Sequence, residues 1–118
     1  MTPAAFETAC MALPGASYSL QWGDSRVFKV GGKMFAIVGL NRGDGPPSYN
    51  FKASDMAFEL LVEHGLARPA PYLARAKWVR LAGHDALSDD DLKAYLAQAH
   101  ALVAARLTRV QKRALGLG

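Results

Sequence analysis

The sequence predicts an α+β domain in which helices pack on an antiparallel β-sheet, with the element order αββββαβα. Three observations predict it: apolar residues recur at helical spacing near both ends, the period changes to two from Tyr18 onward, and Gly31-Gly32 joins two consecutive strands. Strands joined by tight turns run antiparallel, and helices then cover one side of the sheet. The 118 residues fit a single domain.

Three predicted helices begin at residues whose hydroxyl can accept a hydrogen bond from a free helix amide. Thr2 precedes a first helix over about residues 3–13, where Pro at the first position costs no hydrogen bond. Ser54 precedes the second helix, and Ser88 the third and longest. The third helix is expected to bury Leu92, Tyr95, Leu96, Ala99, Leu102 and Val103.

The strongest local signal is the hairpin around Gly31-Gly32, because two glycines tolerate the positive φ angles of a two-residue turn. With both glycines in the loop, Phe28 lies opposite Phe35. Val30 and Ile37 then share their face, so the sequence predicts an apolar side with an aromatic pair at its centre.

The length of the preceding turn decides which face of the first strand is buried. A three-residue loop pairs Leu20 with Phe28 and places Tyr18, Leu20 and Trp22 on the core side. A two-residue loop would pair Leu20 with Val27 and reverse the faces. Burial favours the longer loop.

The remaining strands are short. Ser48 to Lys52 alternates and predicts a fourth strand, and Lys77 to Leu81 predicts the last one. Asn41 to Pro47 contains only residues typical of turns and loops, apart from Arg42. Arg68 to Pro71, with two prolines, is expected to interrupt regular structure.

The net charge of +4 lies entirely at the C-terminal end. Residues 1–105 contain ten basic and ten acidic side chains. The excess consists of Arg106, Arg109, Lys112 and Arg113. We therefore predict a domain over residues 1–107 followed by a basic tail over 108–118. If the last helix continued through this region, Arg106, Arg109 and Arg113 would form a basic stripe.

Residue patterns for catalysis or metal binding are missing from the sequence. Cys10 falls on the apolar face of the first helix without a neighbouring base, which favours packing. No histidine is spaced from another ligand as in a metal site, and the aspartates from Asp85 to Asp91 are explained largely by helix capping. Gly31-Gly32-Lys33 is followed by a strand, unlike a phosphate loop. We expect a non-enzymatic protein without metal or cofactor.

The same sequence predicts a soluble, cytoplasmic protein. Its apolar runs are too short to span a bilayer, and the N-terminus lacks the basic-then-apolar order of a signal peptide.

The candidate binding residues are cations on projecting or exposed segments, where flexible side chains can contact phosphates. They are Lys29, Lys33, Lys52, Arg75, Lys77 and Arg80. Tyr72 and Trp78 lie among them and could stack on bases. The alternative for Trp78 is a core position in the last strand.

Several motifs together resemble the MmcQ/YjbR family. They are Trp22-Gly23-Asp24, the stretch from Val27 to Ala36 (VFKVGGKMFA), Tyr49-Asn50-Phe51-Lys52, Tyr72-Leu73, and Lys77-Trp78-Val79. The resemblance extends over about residues 3–107 and includes the closing helix. The chain departs from the family pattern at Ala99-His100, where a Ser-Tyr pair is usual.

The resemblance implies a CyaY-like fold and a DNA-binding role, because proteins of this family are commonly described as DNA-binding. The family's lysines correspond to Lys29, Lys33 and Lys52. An iron-binding role, which the CyaY likeness also suggests, would need an acidic ridge on the first helix. Glu7 is that helix's only acid, so we set iron aside.

Three hypotheses about function follow. The first is a nucleic-acid-binding module, with DNA as the partner and no membrane. The second is a protein-interaction module that uses the sheet edge left by the last strand or a patch around Trp78 and Tyr72. The third, a small-molecule binder or enzyme, lacks any catalytic group assembled from sequence neighbours. The oligomeric state is left open.

Overall fold

The computed structural model describes residues 1–21, 25–39, 46–71 and 73–117. Its helices are α1 (Pro3–Met11), α2 (Asp55–Glu63), α3 (Asp89–Ala104) and α4 (Arg109–Ala114), with a 3-10 helix at Ala74–Ala76. Its strands are β1 (Ala16–Gln21), β2 (Ser25–Val30), β3 (Lys33–Gly39), β4 (Ser48–Lys52), β5 (Ala67–Pro69) and β6 (Trp78–Leu81). The α+β prediction is confirmed.

One antiparallel sheet contains all six strands in the order β1-β2-β3-β4-β6-β5. Residues from α1, α2 and α3 share one apolar core with one face of the sheet. The opposite face, which we call the open face, carries a smaller apolar cluster formed by Val27, Ile37, Ala70 and Trp78, with Met34 and Leu73 packed against it. The described residues therefore form a two-layer domain in which no α-helix covers the open face, and Ala70, Leu73 and the 3-10 helix lie beside it.

The predicted capping residues begin all three long helices. The hydroxyls of Thr2, Ser54 and Ser88 accept hydrogen bonds from the amides three residues later, at 3.1 Å in each case. Each cap satisfies one amide that has no partner within its helix. These predictions are confirmed. They could be made from the sequence because a cap requires only neighbouring residues.

The Gly31-Gly32 hairpin is confirmed, but a β-bulge changes its pairing beyond the first two residue pairs. Val30 pairs with Lys33 as predicted, whereas Phe28 pairs with Ala36 instead of Phe35. The extra residue reverses the later alternation of β3, so Ile37 lies on the open face and the prediction of its face is wrong.

The first hairpin has the predicted faces but a different register. Tyr18, not Leu20, pairs with Phe28, and Gln21 pairs with Ser25. Tyr18 and Leu20 lie on the helix side as predicted, yet they are 50% and 65% exposed. β1 is an edge strand with a neighbouring strand on one side only, so facing the core side does not bury these side chains. Trp22 lies outside the described residues.

Two predictions near β6 are wrong. Residues 67–69 form β5, because an edge strand tolerates a proline whose missing amide needs no partner on the outer side. β6 consequently lies between β4 and β5 and leaves no free edge. The sheet edge proposed above for a protein partner does not exist there, and the edges are β1 and β5.

The third helix ends before the C-terminal cations. α3 stops at Ala104, and Thr108 caps the separate helix α4. Arg106 thus lies between the helices, and the continuous basic stripe does not form. Leu115 and Leu117 pack against the main core, so residues 109–117 fold back onto the domain.

Candidate nucleic-acid interface

The open face is the most distinctive surface of the domain because its strand residues include cations and no acids. Alternation along the strands and pairing between them assign the residues of this face. They are Ser17, Ser19, Gln21, Ser25, Val27, Lys29, Met34, Ile37, Gly39, Ser48, Asn50, Lys52, Arg68, Trp78 and Arg80. A surface of this composition attracts anions.

Arg80 and Asn50 form the polar centre of the open face. They are direct partners in the β4–β6 register, and Arg80 Nε donates to Asn50 Oδ1 at 2.9 Å. Asn50 is 4% exposed, and its Nδ2 donates to Ile37 O at 3.4 Å and to Ser48 Oγ at 3.3 Å. The buried amide is thus held on both sides, and it fixes the orientation of the guanidinium.

Arg80 has an uncompensated positive charge within the described ranges. Neither ion pair found there involves Arg80. Its register partner on β5 is another cation, Arg68. Burial, and secondarily the charge of Arg68, lower the pKa of Arg80 below its usual range. Both effects disfavour the charged form, and a bound anion would relieve them.

A cleft lies beside this polar centre. It has a volume of about 460 Å³ and is bounded by the sheet on one side and by Ala70, Pro71 and Leu73 on the other. The lining includes apolar Met34, Ile37 and Leu73 together with polar Asn50 and Arg80. Its volume and mixed lining are those of small-molecule or single-residue binding sites.

Lys52 extends the positive surface toward the 3-10 helix. Its Nζ donates to Ala76 O at 2.7 Å. Burial chiefly lowers the pKa of Lys52; nearby Arg106 also lowers it, while Asp55 opposes the shift. This lysine is less hydrated than an exposed one, which strengthens its interaction with an approaching anion.

The structure brings only some of the six predicted cations together. Lys29, Lys52 and Arg80 share the open face, and Arg75 is exposed on the 3-10 helix. Lys33 pairs with Val30, whose side chain belongs to the helix-side core. Lys77 turns toward the helices as well.

Lys77 adopts a left-handed conformation with φ of 62°. Its Nζ lies 4.9 Å from the ring centre of Phe58 on α2. This cation–π contact accounts for the direction of the side chain. Lys77 therefore does not contribute its charge to the open face.

The site residues predicted from the sequence omit two residues of the open face, although Arg68 belongs to the basic segment that the sequence singles out. Arg68 lies beside Arg80 only because β5 forms, and its proline-rich segment gave no strand signal. Asn50 could have been found, because the alternation of β4 places it opposite to buried Tyr49 and Phe51.

Trp78 is unavailable for stacking on a base. It is 4% exposed and packs with Val27, Ile37 and Ala70. The alternative interpretation, a core position in the strand, is confirmed. Tyr72 lies outside the described residues, so the patch proposed around both aromatic residues has no demonstrated exposed member.

Other potentially reactive residues have structural roles. Cys10 is fully buried, and desolvation strongly raises the pKa of its thiol, which disfavours the nucleophilic thiolate. His100 Nε2 lies 2.7 Å from Pro14 O, and its ring contacts the Phe35 ring edge-on. Within the described ranges, no three His, Cys, Asp or Glu residues form a potential metal site.

The helices of the described residues are also too short or too polar to cross a bilayer.

The fold and this surface define a class: a small α+β domain with helices on one side of an antiparallel sheet and, on the other, a basic face whose described strand positions include no acidic residue. The YjbR family model matches residues 11–102, well over half of the chain. The chain therefore belongs to the YjbR family, as the sequence resemblance predicts.

A solved relative has the same fold. The crystal structure of the Deinococcus radiodurans protein DR2400, a DUF419 domain, superimposes with a TM-score of 0.81 at 22% identity. The superposition covers 96% of this chain and 86% of that one. The comparison with curated proteins yields no match.

Proposed function

We propose that this protein is a non-enzymatic nucleic-acid-binding module of the cytoplasm that contacts the phosphate backbone through its open face. The observation that carries this proposal is the composition of that face: its strand positions include Lys29, Lys52, Arg68 and Arg80 but no acidic residue. Phosphate contacts require cations, while serine hydroxyls and amides add hydrogen bonds without repelling the anion. DNA is the proposed partner.

The geometry suits an extended strand rather than a single ion. Lys29 and Lys52 are separated by β3, so their backbones lie about 10 Å apart at the usual strand spacing. Arg80 lies one strand further, on β6. The three cations therefore cross the sheet, and a phosphate backbone laid across the strands can contact them in succession.

The test compares two double variants with the same loss of charge. The first variant, Lys29→Gln with Lys52→Gln, removes two cations from the open face. The second variant, Lys33→Gln with Lys77→Gln, removes the two cations that the structure assigns to the helix side. We expect about a tenfold or greater loss of affinity for labelled DNA in the first and less than about twofold in the second. Fluorescence anisotropy at several salt concentrations measures both.

The salt dependence provides a second readout. Three phosphate contacts by Lys29, Lys52 and Arg80 predict a slope of about −2 in log K against log salt for a single strand. The open-face double variant should lower this slope, and the helix-side variant should leave it unchanged. Equal losses in both variants, or affinity no better than a neutral control protein shows, would contradict the proposal. The helix-side variant also tests the sequence-based prediction that Lys33 and Lys77 bind nucleic acid, and the role of Arg75 stays a prediction.

A second candidate function, protein interaction, is favoured by one observation on β1. This edge strand exposes Tyr18 and Leu20 beside an unpaired strand edge. An extended segment of a partner can add to such an edge through backbone hydrogen bonds. A stoichiometric partner that co-purifies after nuclease treatment and is lost with Leu20→Ser would favour this function.

A further inference from the structure

The cleft on the open face has one cationic group beside an apolar wall. Arg80 and Asn50 lie at the sheet, and Met34, Ile37, Pro71 and Leu73 provide apolar surface around them. A purely electrostatic phosphate surface has no need of such a wall. The combination indicates a ligand with an anionic group joined to an apolar, preferably flat, body.

The hydrogen bonding of Arg80 leaves most of its donors available. Asn50 occupies Nε, and no other hydrogen bond of the guanidinium is found among the residues described. The two Nη groups retain four N–H donors in a planar fork, which matches two oxygens of a phosphate. Because Asn50 is itself held by Ile37 O and Ser48 Oγ, the fork is oriented before a ligand binds.

The size of the cleft limits the ligand to one small unit. A volume of about 460 Å³ lies in the range of sites for single small molecules. The hydroxyls of Ser25 and Ser48 line the same cleft and can hydrogen-bond polar edges of such a unit.

We propose that the cleft binds one unstacked nucleotide of a bound single strand, with its phosphate on Arg80 and its base against Met34 and Leu73. This inference rests on the proposed function and adds to it a preference for single strands. A duplex must unpair and unstack a base before that base can enter, which opposes binding. The same phosphate and base can also come from a free mononucleotide.

The main experiment measures affinity for a labelled oligothymidylate and for a duplex of equal length. The wild-type protein should prefer the single strand by about tenfold, because burying one base face of roughly 50 Å² against apolar side chains contributes about that factor. Leu73→Trp fills the cleft without changing charge, so it should reduce single-strand affinity about tenfold and leave duplex affinity unchanged.

A pair of arginine variants distinguishes binding in the cleft from general electrostatic attraction to the open face. Arg80→Gln and Arg68→Gln remove the same charge from adjacent strands, but only Arg80 lines the cleft. We expect Arg80→Gln to weaken single-strand binding several-fold more than Arg68→Gln. Thermal melts of each variant confirm that it is folded.

A titration of the wild-type protein avoids dependence on any variant. Thymidine 5′-monophosphate should shift the NMR signals of the Asn50 amide and the Arg80 guanidinium. Thymidine or inorganic phosphate alone should shift them at least several-fold less at equal concentration, because each lacks one half of the ligand. Similar shifts with inorganic phosphate would assign the site to an anion alone and overturn the nucleotide inference.

The outcomes distinguish the two proposals. Equal affinity for single strand and duplex, unaffected by Leu73→Trp, would overturn the cleft inference while leaving the proposed function intact. Absence of binding to either nucleic acid would overturn both. Single-strand preference that disappears in Leu73→Trp and Arg80→Gln but persists in Arg68→Gln would support the cleft.

Discussion

At the scale of single residues, burial determines which groups are chemically available. The Cys10 thiol and Trp78 ring are buried, whereas the Arg80 guanidinium borders a cleft. Cysteine often signals reactivity and tryptophan often signals base stacking, but both of these side chains pack in the interior here. Arg80 differs because its fixed hydrogen bond to Asn50 leaves charged donors facing the cleft.

The buried thiol predicts a specific loss of stability at alkaline pH. Desolvation raises the pKa of Cys10 above its ordinary value of 9.0, so only the unfolded chain releases this proton just above pH 9. The thiol's contribution to the free energy of unfolding is therefore retained below pH 9 and falls by about 1.4 kcal/mol per pH unit above it.

The measurement compares urea unfolding of the wild type and Cys10→Ala between pH 9 and pH 10. This window lies below 10.0, the ordinary pKa of Tyr49, whose own pKa is also raised by burial. Cys10→Ala should be less stable at pH 8 because it leaves a cavity, and the difference should shrink as the pH rises. A constant difference would show that the thiol ionises equally in both states.

At the scale of elements, the β2–β3 hairpin joins local turn chemistry to tertiary packing. Both turn glycines have positive φ, +59° at Gly31 and +78° at Gly32. A Cβ on Gly31 would lie 2.6 Å from Leu107 Cδ2, whereas one on Gly32 would meet nothing within 4 Å. Gly31 is thus required both for the positive φ angle of the turn and for the close approach of Leu107, which follows α3.

Alanine substitutions should separate these two requirements. Gly32→Ala should lower the free energy of unfolding by about 1 kcal/mol, the cost of a left-handed alanine. Gly31→Ala should lower it by roughly 1–3 kcal/mol more, because Leu107 is 5% exposed and has little room to move. Urea denaturation of both variants measures the difference. Equal effects would mean that Leu107 adjusts without cost.

At the scale of the whole molecule, the location of charge matters more than the net charge. Arg109, Lys112 and Arg113 lie on the short helix α4, and Leu115 and Leu117, which follow it, pack against the helix-side core. Replacing all three with glutamine lowers the net charge from +4 to +1, since each substitution removes one positive charge. The open face keeps all its cations.

We expect this triple variant to retain DNA affinity within about threefold at moderate salt, where distant exposed charges are largely screened. Anisotropy at the salt concentrations used for the open-face variants tests it, and α4 is retained to preserve the packing of Leu115. Loss of binding comparable to that of Lys29→Gln with Lys52→Gln would identify the C-terminal cations as the binding site.

Much of the fold could be predicted because its signals are local. The caps at Thr2, Ser54 and Ser88 depend on amides three residues away, and the Gly31-Gly32 turn depends on adjacent residues. The candidate site was predictable only in part. Lys29, Lys52 and Arg80 were identified as cations, but their common face depends on strand pairing.

The sequence alone determined the α+β class, the helix starts, the principal hairpin and the location of net charge, since these depend on residue order and short-range geometry. Tertiary structure decided the bulge that turns Ile37 to the open face, the β5 pairing that brings Arg68 beside Arg80, and the burial of Trp78. These features depend on contacts between distant segments, and one shifted residue in a strand reverses its faces. The open face and its cleft therefore exist only in the folded chain.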